Sequence, residues 1–104
     1  MEKILIVEDD ETLRIELSNL LTNSGYDVLI LTDFKNSKEE IIKLNPDLIL
    51  LDINIPYLNG EMLLKSLRDE NKNVPVIMLT SSNKTVDEVL SISYGADDYI
   101  TKPY

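Results

Sequence analysis

The chain has 104 residues and a formal net charge of −9, because 19 acidic residues outnumber 10 basic ones. Such an acidic segment is not expected to bind nucleic acid or an anionic membrane, since both are held through Lys and Arg. The absence of cysteine and histidine excludes disulfides and thiolate sites, so any metal must be held by oxygen atoms, as Mg²⁺, Mn²⁺ and Ca²⁺ are. The N-terminal apolar run is too short for a signal peptide or a membrane span, so we expect a cytoplasmic protein.

Apolar runs of strand length alternate with segments of helical periodicity along the chain. Strands are predicted at 3–7, 26–31, 48–51, 74–79 and 98–101. Helices are predicted at 12–24, 37–44, 61–71 and 85–94. The apolar stripe of the first helix is predicted to comprise Leu13, Leu17, Leu20 and Leu21.

Strands that alternate with helices predict a parallel sheet with right-handed crossovers. The first, third and fourth strands are apolar throughout and should be central, whereas the second and fifth should lie at the edges. This is the flavodoxin-like, doubly wound α/β order 2-1-3-4-5. A sheet covered on both faces needs a helix after its fifth strand. The sequence therefore reads as one domain, residues 1–104, with four helices and the fifth missing, and apolar surface should be exposed beside the first helix.

Polar side chains follow the predicted strands at the edge where parallel strands end. Glu8 and Asp9 follow the first strand, Asp52 the third, Thr80 the fourth and Lys102 the fifth. The first and third strands are neighbours in this order, so Glu8 and Asp9 should face Asp52. Carboxylates this close repel one another unless cations offset their charge. The sequence therefore predicts a site for a divalent cation at this edge.

Each of these features also has a purely structural interpretation. Asp52 can begin a turn, and the acids after the first strand can favour the N-terminus of a helix. Thr80 or Ser82 can cap a helix, and Lys102 can be a solvated side chain. The structural interpretations are less convincing as a set, because they do not explain why all of these residues lie at the same edge of the predicted sheet.

The chain resembles the receiver domain of bacterial two-component response regulators. The matching stretches, in the family's order, are ILIVEDD at 4–10, PDLILLDINIPYLNG at 46–60, PVIMLTSS at 75–82 and GADDYITKPY at 95–104. The resemblance covers the whole chain, and the set of motifs is more specific than any one of them.

The resemblance implies a phosphorylation site. Asp52 resembles the phospho-accepting aspartate, which takes a phosphoryl group from a phosphohistidine of a sensor histidine kinase. Asp9, with Glu8 through water, resembles the acidic pair that holds Mg²⁺. Asp52 itself and the backbone carbonyl of Asn54 would complete the protein ligands.

Further positions match the family's site. Lys102 resembles the lysine that pairs with a phosphoryl oxygen, and the Lys102–Pro103 bond is usually cis in the family. Thr80 resembles the switch hydroxyl. Tyr99 resembles the switch aromatic, although its position also suits a half-buried aromatic of an edge strand. The amide of Ser81 is expected to donate a further hydrogen bond to the phosphoryl group.

The motif GADDYITKPY is most like the class in which a winged-helix DNA-binding domain follows the receiver. The output surface would then be the face of helix 85–94 and strand 98–101. In that class the acids before Tyr99 pair with basic residues on the fifth helix of a dimer partner. A receiver homodimer is therefore expected for the full-length protein, whereas these 104 residues carry no DNA-binding elements.

Two other functions are consistent with the fold. A pseudo-receiver would act as a docking domain without phosphorylation, but such a domain should lack at least one of the site residues present here. A Mg²⁺-dependent phosphatase with an aspartyl intermediate would usually carry a second acid two residues after its nucleophile, where this chain has Asn54.

Overall fold

The computed structural model describes residues 2–53, 55–57, 59–70, 73–80 and 97–101, with the side chains of Thr80, Tyr99 and Thr101 outside the description. Its elements are β1 Lys3–Val7, α1 Glu11–Asn23, β2 Asp27–Ile30, α2 Ser37–Leu44, β3 Leu48–Asp52, α3 Gly60–Asp69, β4 Val76–Thr80 and β5 Asp98–Thr101. The predicted bounds of β1, α2 and β5 are confirmed, and the other bounds differ by one or two residues. The predicted helix 85–94 lies outside the described residues.

The five strands form one parallel sheet in the order β2-β1-β3-β4-β5, which confirms the predicted topology. In that order β1, β3 and β4 are central, whereas β2 and β5 form the edges, as predicted from their polarity. Every strand therefore runs in the same direction, so all five carboxyl ends meet at one edge. This edge is where doubly wound sheets bind ligands.

The sheet buries apolar side chains on both of its faces, as a parallel sheet covered by helices does. Strand residues one position apart point to opposite faces, so each central strand contributes to two separate cores. One core contains α2 and α3 side chains: Leu5, Val7, Ile41, Ile49, Leu51, Leu63, Leu64, Leu67 and Met78. The other contains Leu17 of α1: Ile4, Ile6, Leu17, Leu50 and Leu79.

Helix α1 begins at a side-chain cap and packs through fewer leucines than predicted. The Asp10 carboxylate accepts a hydrogen bond from the Leu13 N–H at 3.1 Å and so caps the start of the helix. Leu17 is buried and Leu13 and Leu21 are half-buried, but Leu20 is 63% exposed, so one leucine of the predicted stripe is not covered by the sheet. Leu20 lies about 60° around the helix from Leu17, at the margin of the contact with the sheet.

Two residues of the described chain other than glycine take positive φ angles. Asn45 ends α2 at φ 50°, just before Pro46, where the sequence predicted the helix to stop. Tyr57 has φ 70° and lies in the loop that joins β3 to α3. Asn adopts this left-handed conformation readily, whereas an aromatic residue does not.

Among the described helices, none is sufficiently long and apolar to cross a membrane.

Candidate functional site at the carboxyl edge of the sheet

Three carboxylates meet at the carboxyl edge, on two neighbouring strands. Val7 of β1 pairs with Leu51 of β3, so Glu8 and Asp52, the next residue on each chain, lie level with one another. Glu8, Asp9 and Asp52 each offer one carboxylate oxygen, and these oxygens lie within 4.8 Å of one another. The structure thus confirms that Glu8 and Asp9 face Asp52.

The three acids differ in their access to solvent. Glu8 is 0% and Asp52 is 5% exposed, whereas Asp9 lies at the surface. Burying a carboxylate is costly unless hydrogen bonds or a cation stabilise its charge. An all-oxygen donor set that contains both buried and solvent-facing carboxylates suits Mg²⁺, which prefers oxygen ligands and retains several waters. The residues present therefore fit this ion.

The loop after Asp52 is closed by backbone contacts. The Gly60 N–H donates to the Ile53 carbonyl at 2.6 Å, which brings the first residue of α3 back to the end of β3. The Asn59 side chain caps α3 by accepting the Glu61 N–H at 2.7 Å. These contacts fix the path of the chain after the buried acid.

Gly60 has a role that sequence reasoning missed. A Cβ at this position would overlap the Asp52 carbonyl oxygen and lie 2.9 Å from the Ile53 Cα. The sequence indicated only a chain-breaking residue here, because nothing local distinguishes a turn glycine from one that another backbone approaches. Gly60 therefore permits the backbone of Asp52 to be covered by the start of α3.

Strands β4 and β5 bring two further predicted residues to the same sheet. The β4–β5 register pairs Met78 with Tyr99 and Thr80 with Thr101. Thr80 is thus the last residue of β4, at the carboxyl edge, as predicted. Only the strand positions of Thr80 and Tyr99 are described, so their switch roles stay predictions.

Several predicted site residues lie outside the described residues. These are Asn54, Ser81, Lys102 and Pro103. Their assigned roles as metal ligand, phosphoryl contacts and cis peptide stay predictions. Within the described part of the chain, Glu8, Asp9 and Asp52 form the one group of acids close enough to share a metal ion.

The sequence matches relatives that are named as regulators of transcription and signalling. The alkaline phosphatase synthesis transcriptional regulatory protein PhoP of Bacillus subtilis (strain 168) is 40% identical over 103 residues, which cover 99% of this chain and 43% of PhoP. The DNA-binding response regulator MtrA of Mycobacterium leprae (strain TN) is 40% identical over 103 residues, covering 99% of this chain and 45% of MtrA. The chain thus spans less than half the length of these relatives.

Solved receiver domains have the same fold. The receiver domain of the Francisella response regulator 1452 superposes with a TM-score of 0.93 at 35% identity, over all of this chain and 86% of that one. The BeF3-activated receiver domain of Klebsiella pneumoniae RstA gives a TM-score of 0.89 at 34% identity, over 98% of this chain and 86% of that one. The profile of the response regulator receiver domain family matches residues 4–104. The chain therefore belongs to the response regulator receiver domains, the signalling domains of two-component systems.

Proposed function

We propose that this chain is a phosphorylation-activated, cytoplasmic signalling module that accepts a phosphoryl group on Asp52 from a sensor histidine kinase. The observation that carries the proposal is the meeting of Glu8, Asp9 and Asp52 at the carboxyl edge of a receiver fold. A buried nucleophile beside a cation site is the arrangement that phosphoryl transfer requires, because catalysis of this reaction consists mainly of positioning and charge stabilisation.

In the proposed reaction a carboxylate oxygen of Asp52 attacks the phosphorus of a phosphohistidine. A bond forms between that oxygen and phosphorus while the bond from phosphorus to the histidine nitrogen breaks, and the nitrogen leaves with the electron pair. Glu8, Asp9, Asp52 and the Asn54 carbonyl would hold Mg²⁺, which when bound supplies positive charge to the phosphoryl oxygens. Lys102, Thr80 and the Ser81 amide are proposed to contact the same oxygens.

The proposed product is a signal rather than a turnover product. Of the residues assigned to the site, none is a histidine, and the acids are assigned to the metal, so no general base is assigned to activate water. We therefore expect slow hydrolysis of the acyl phosphate. The chain would catalyse its own phosphorylation and its slow dephosphorylation, but no reaction of a separate substrate.

The proposed output is a change in the face formed by helix 85–94 and β5. Thr80 would move toward the phosphoryl group while Tyr99 turns inward. The printed names of PhoP and MtrA describe a transcriptional regulator and a DNA-binding response regulator. By analogy, we propose that the parent protein controls transcription through a winged-helix domain and forms a receiver homodimer.

Phosphorylation by a small donor tests this function without the partner kinase. The purified chain is incubated with acetyl phosphate and Mg²⁺ and its intact mass is measured. We expect a gain of one phosphoryl group that requires Mg²⁺ and is absent from Asp52→Ala. A matched control is Asp69→Ala, which removes an acid that pairs with Lys65 on the surface of α3 and should be phosphorylated like the wild type.

Each competing function predicts a different result in this assay. A pseudo-receiver gives no adduct on the wild-type chain, and an adduct that survives Asp52→Ala rejects the assigned nucleophile. A phosphatase releases inorganic phosphate over many rapid turnovers. Any of these three results contradicts the proposal.

A further inference from the structure

Asp97, the residue before β5, is bonded to Val76 of β4 in both directions. Its carboxylate oxygen Oδ2 accepts the Val76 N–H at 2.8 Å. Its own N–H donates to the Val76 carbonyl at 2.9 Å. One residue thus provides both a donor and an acceptor to the same position on the neighbouring strand.

Arg68, in the last turn of α3, holds the same carboxylate from the other side. Its Nη2 donates to Asp97 Oδ2 at 3.2 Å, and its Nη1 donates to the Val74 carbonyl at 2.8 Å. The guanidinium group is planar and rigid, so two such contacts fix the position of the carboxylate relative to the start of β4. These contacts join α3, β4 and β5 at the amino-terminal edge of the sheet.

The importance of this cluster lies in its geometry rather than in its charge. The side chain of Asp97 is 58% exposed, and an ion pair with such an exposed partner stabilises a fold very little. Val76, however, is fully buried, so its N–H requires an acceptor. The Asp97 side chain is that acceptor. It therefore holds Asp97, the residue before β5, beside Val76.

This placement sets the register of β5. The strand has four residues, lies at the edge of the sheet and pairs Asp98 with Ile77. A slip by one residue would turn every side chain of β5 to the opposite face and move the strand about 3.3 Å along its axis. A short edge strand has few ladder contacts to resist such a slip, so the Asp97 contacts matter more here than they would in a central strand.

We propose that Asp97 and Arg68 are positioning residues for the phosphoryl site, because they fix the register of β5, the strand that precedes Lys102 in the sequence. Lys102 directly follows Thr101, which ends β5 opposite Thr80 of β4. The register therefore determines where β5 ends relative to Asp52, and Lys102 is the next residue in the sequence. This inference rests on the proposed function, and it gives Asp97 a role inside the monomer besides the dimer contact that the family resemblance implies.

The test compares Asp97→Ala, which removes the acceptor, with Asp97→Asn, which keeps an oxygen that can accept from Val76. Phosphorylation by acetyl phosphate is followed by intact mass over a range of Mg²⁺ concentrations. We expect Asp97→Ala to lower the maximal rate by about 10- to 100-fold, since small misplacements cost this much. The half-saturating Mg²⁺ concentration should not change, because the proposed ligands Glu8, Asp9 and Asp52 are untouched. Asp97→Asn should restore most of the rate.

A second variant and a register measurement separate positioning from loss of stability. Arg68→Met leaves the Asp97 and Val76 groups in place and should lower the maximal rate less than Asp97→Ala does. Cross-strand NOEs between Ile77 and Asp98 report the register directly. We expect these NOEs in the wild type, Asp97→Asn and the control Asp69→Ala, and their weakening or replacement in Asp97→Ala.

Two results would overturn the inference. One is a folded Asp97→Ala that reacts at the wild-type rate, and the other is a slow Asp97→Ala whose Ile77–Asp98 NOEs match those of the wild type. Failure of the proposed function is recognised separately, since the wild-type chain itself would then remain unphosphorylated while the NOEs still test the register.

Discussion

Gly60 packs against the backbone of Asp52, so the first residue of α3 lies directly over the acid that ends β3. The atoms that a Cβ at position 60 would meet, the Asp52 carbonyl oxygen and the Ile53 Cα, both belong to the backbone. Neither atom can rotate away as the end of a side chain does. Any substitution of Gly60 must therefore shift the loop that follows Asp52.

We expect Gly60→Ala to destabilise the fold by about 1–3 kcal/mol, the usual cost of overpacking. Urea unfolding measures this loss. Gly25→Ala is the matched control, because Gly25 has φ 96° but its added Cβ would have no atom within 4 Å other than those of its own and the two adjacent residues. It should lose about 1–2 kcal/mol through its backbone conformation alone and should leave Mg²⁺ binding unchanged. Gly60→Ala should also weaken Mg²⁺ binding, because it shifts the loop that follows Asp52. Weakened Mg²⁺ binding in Gly25→Ala, or unchanged Mg²⁺ binding in Gly60→Ala, would contradict this explanation.

Asp9 and Asp10 are adjacent acids with different contacts, since Asp9 belongs to the acidic group and Asp10 caps α1. Asp9→Asn should weaken Mg²⁺ binding roughly tenfold or more, because it removes a charged oxygen ligand from the acidic group. Asp10→Asn removes the same charge but keeps the oxygen that caps α1, so it should bind Mg²⁺ nearly as the wild type does. A Mg²⁺ titration followed by the amide shifts of Glu8 and Asp52 measures both. Equal weakening in the two variants would show that overall charge, rather than coordination, controls the affinity.

Tyr57 holds a left-handed backbone conformation at φ 70° with a side chain that is 78% exposed. Such a conformation costs an aromatic residue about 1–2 kcal/mol, and glycine would relieve this cost. Part of the resulting gain in stability is lost, because glycine makes the unfolded chain more flexible. We therefore expect Tyr57→Gly to stabilise the fold by about 0.5–1 kcal/mol in urea unfolding. Asn45→Gly, at φ 50°, should gain less, because asparagine tolerates this conformation. A larger gain at Asn45 than at Tyr57 would reject the explanation.

The pKa of Asp33 is lowered from its ordinary value of 3.8, chiefly by hydrogen bonds from the side chain and the backbone N–H of Asn36. A carboxyl group whose folded pKa is depressed stabilises the fold above its unfolded pKa, and that contribution is lost as the pH falls through the folded pKa. Asp33 therefore loses its contribution to stability below about pH 4.

Asn36→Ala should raise the Asp33 pKa toward its ordinary value, as measured by NMR titration of the side-chain carboxyl carbon. Asn36 is the N-cap residue of α2, but its side chain makes no capping hydrogen bond there. This variant should therefore not weaken the start of the helix. Asn19→Ala, on the exposed surface of α1, is the control and should leave the Asp33 pKa where it is. An unchanged pKa in Asn36→Ala would contradict the assigned cause.

The fold and the acidic group could be predicted because both follow from regular patterns. Apolar runs alternating with helical periodicity predict the strand order, and the strand order places Glu8 and Asp9 against Asp52 without any knowledge of side-chain contacts. Helical periodicity did not identify Leu20 as the exposed leucine of α1, because it gives the direction of an apolar stripe but not the width of the surface that covers it.

Contacts between residues far apart in the sequence had no signal in it. The approach of Gly60 to Asp52 depends on the path of the whole β3–α3 loop. The Arg68–Asp97 contact joins residues 29 positions apart, and neither residue belongs to a local motif that predicts its partner. Both contacts depend on how the helices and strands pack against one another in three dimensions.

The two ends of β4 and β5 carry different groups of residues. Arg68, Asp97 and Val76 meet at the amino-terminal end, whereas Thr80 and Thr101 end the two strands at the opposite edge. No side chain belongs to both groups. If Asp97 has the proposed role, substitutions at the amino-terminal end in a lineage of duplicated regulators would alter the rate of phosphorylation while Asp52 and the neighbouring acids remain the same, so divergence in timing would not require any change in chemistry.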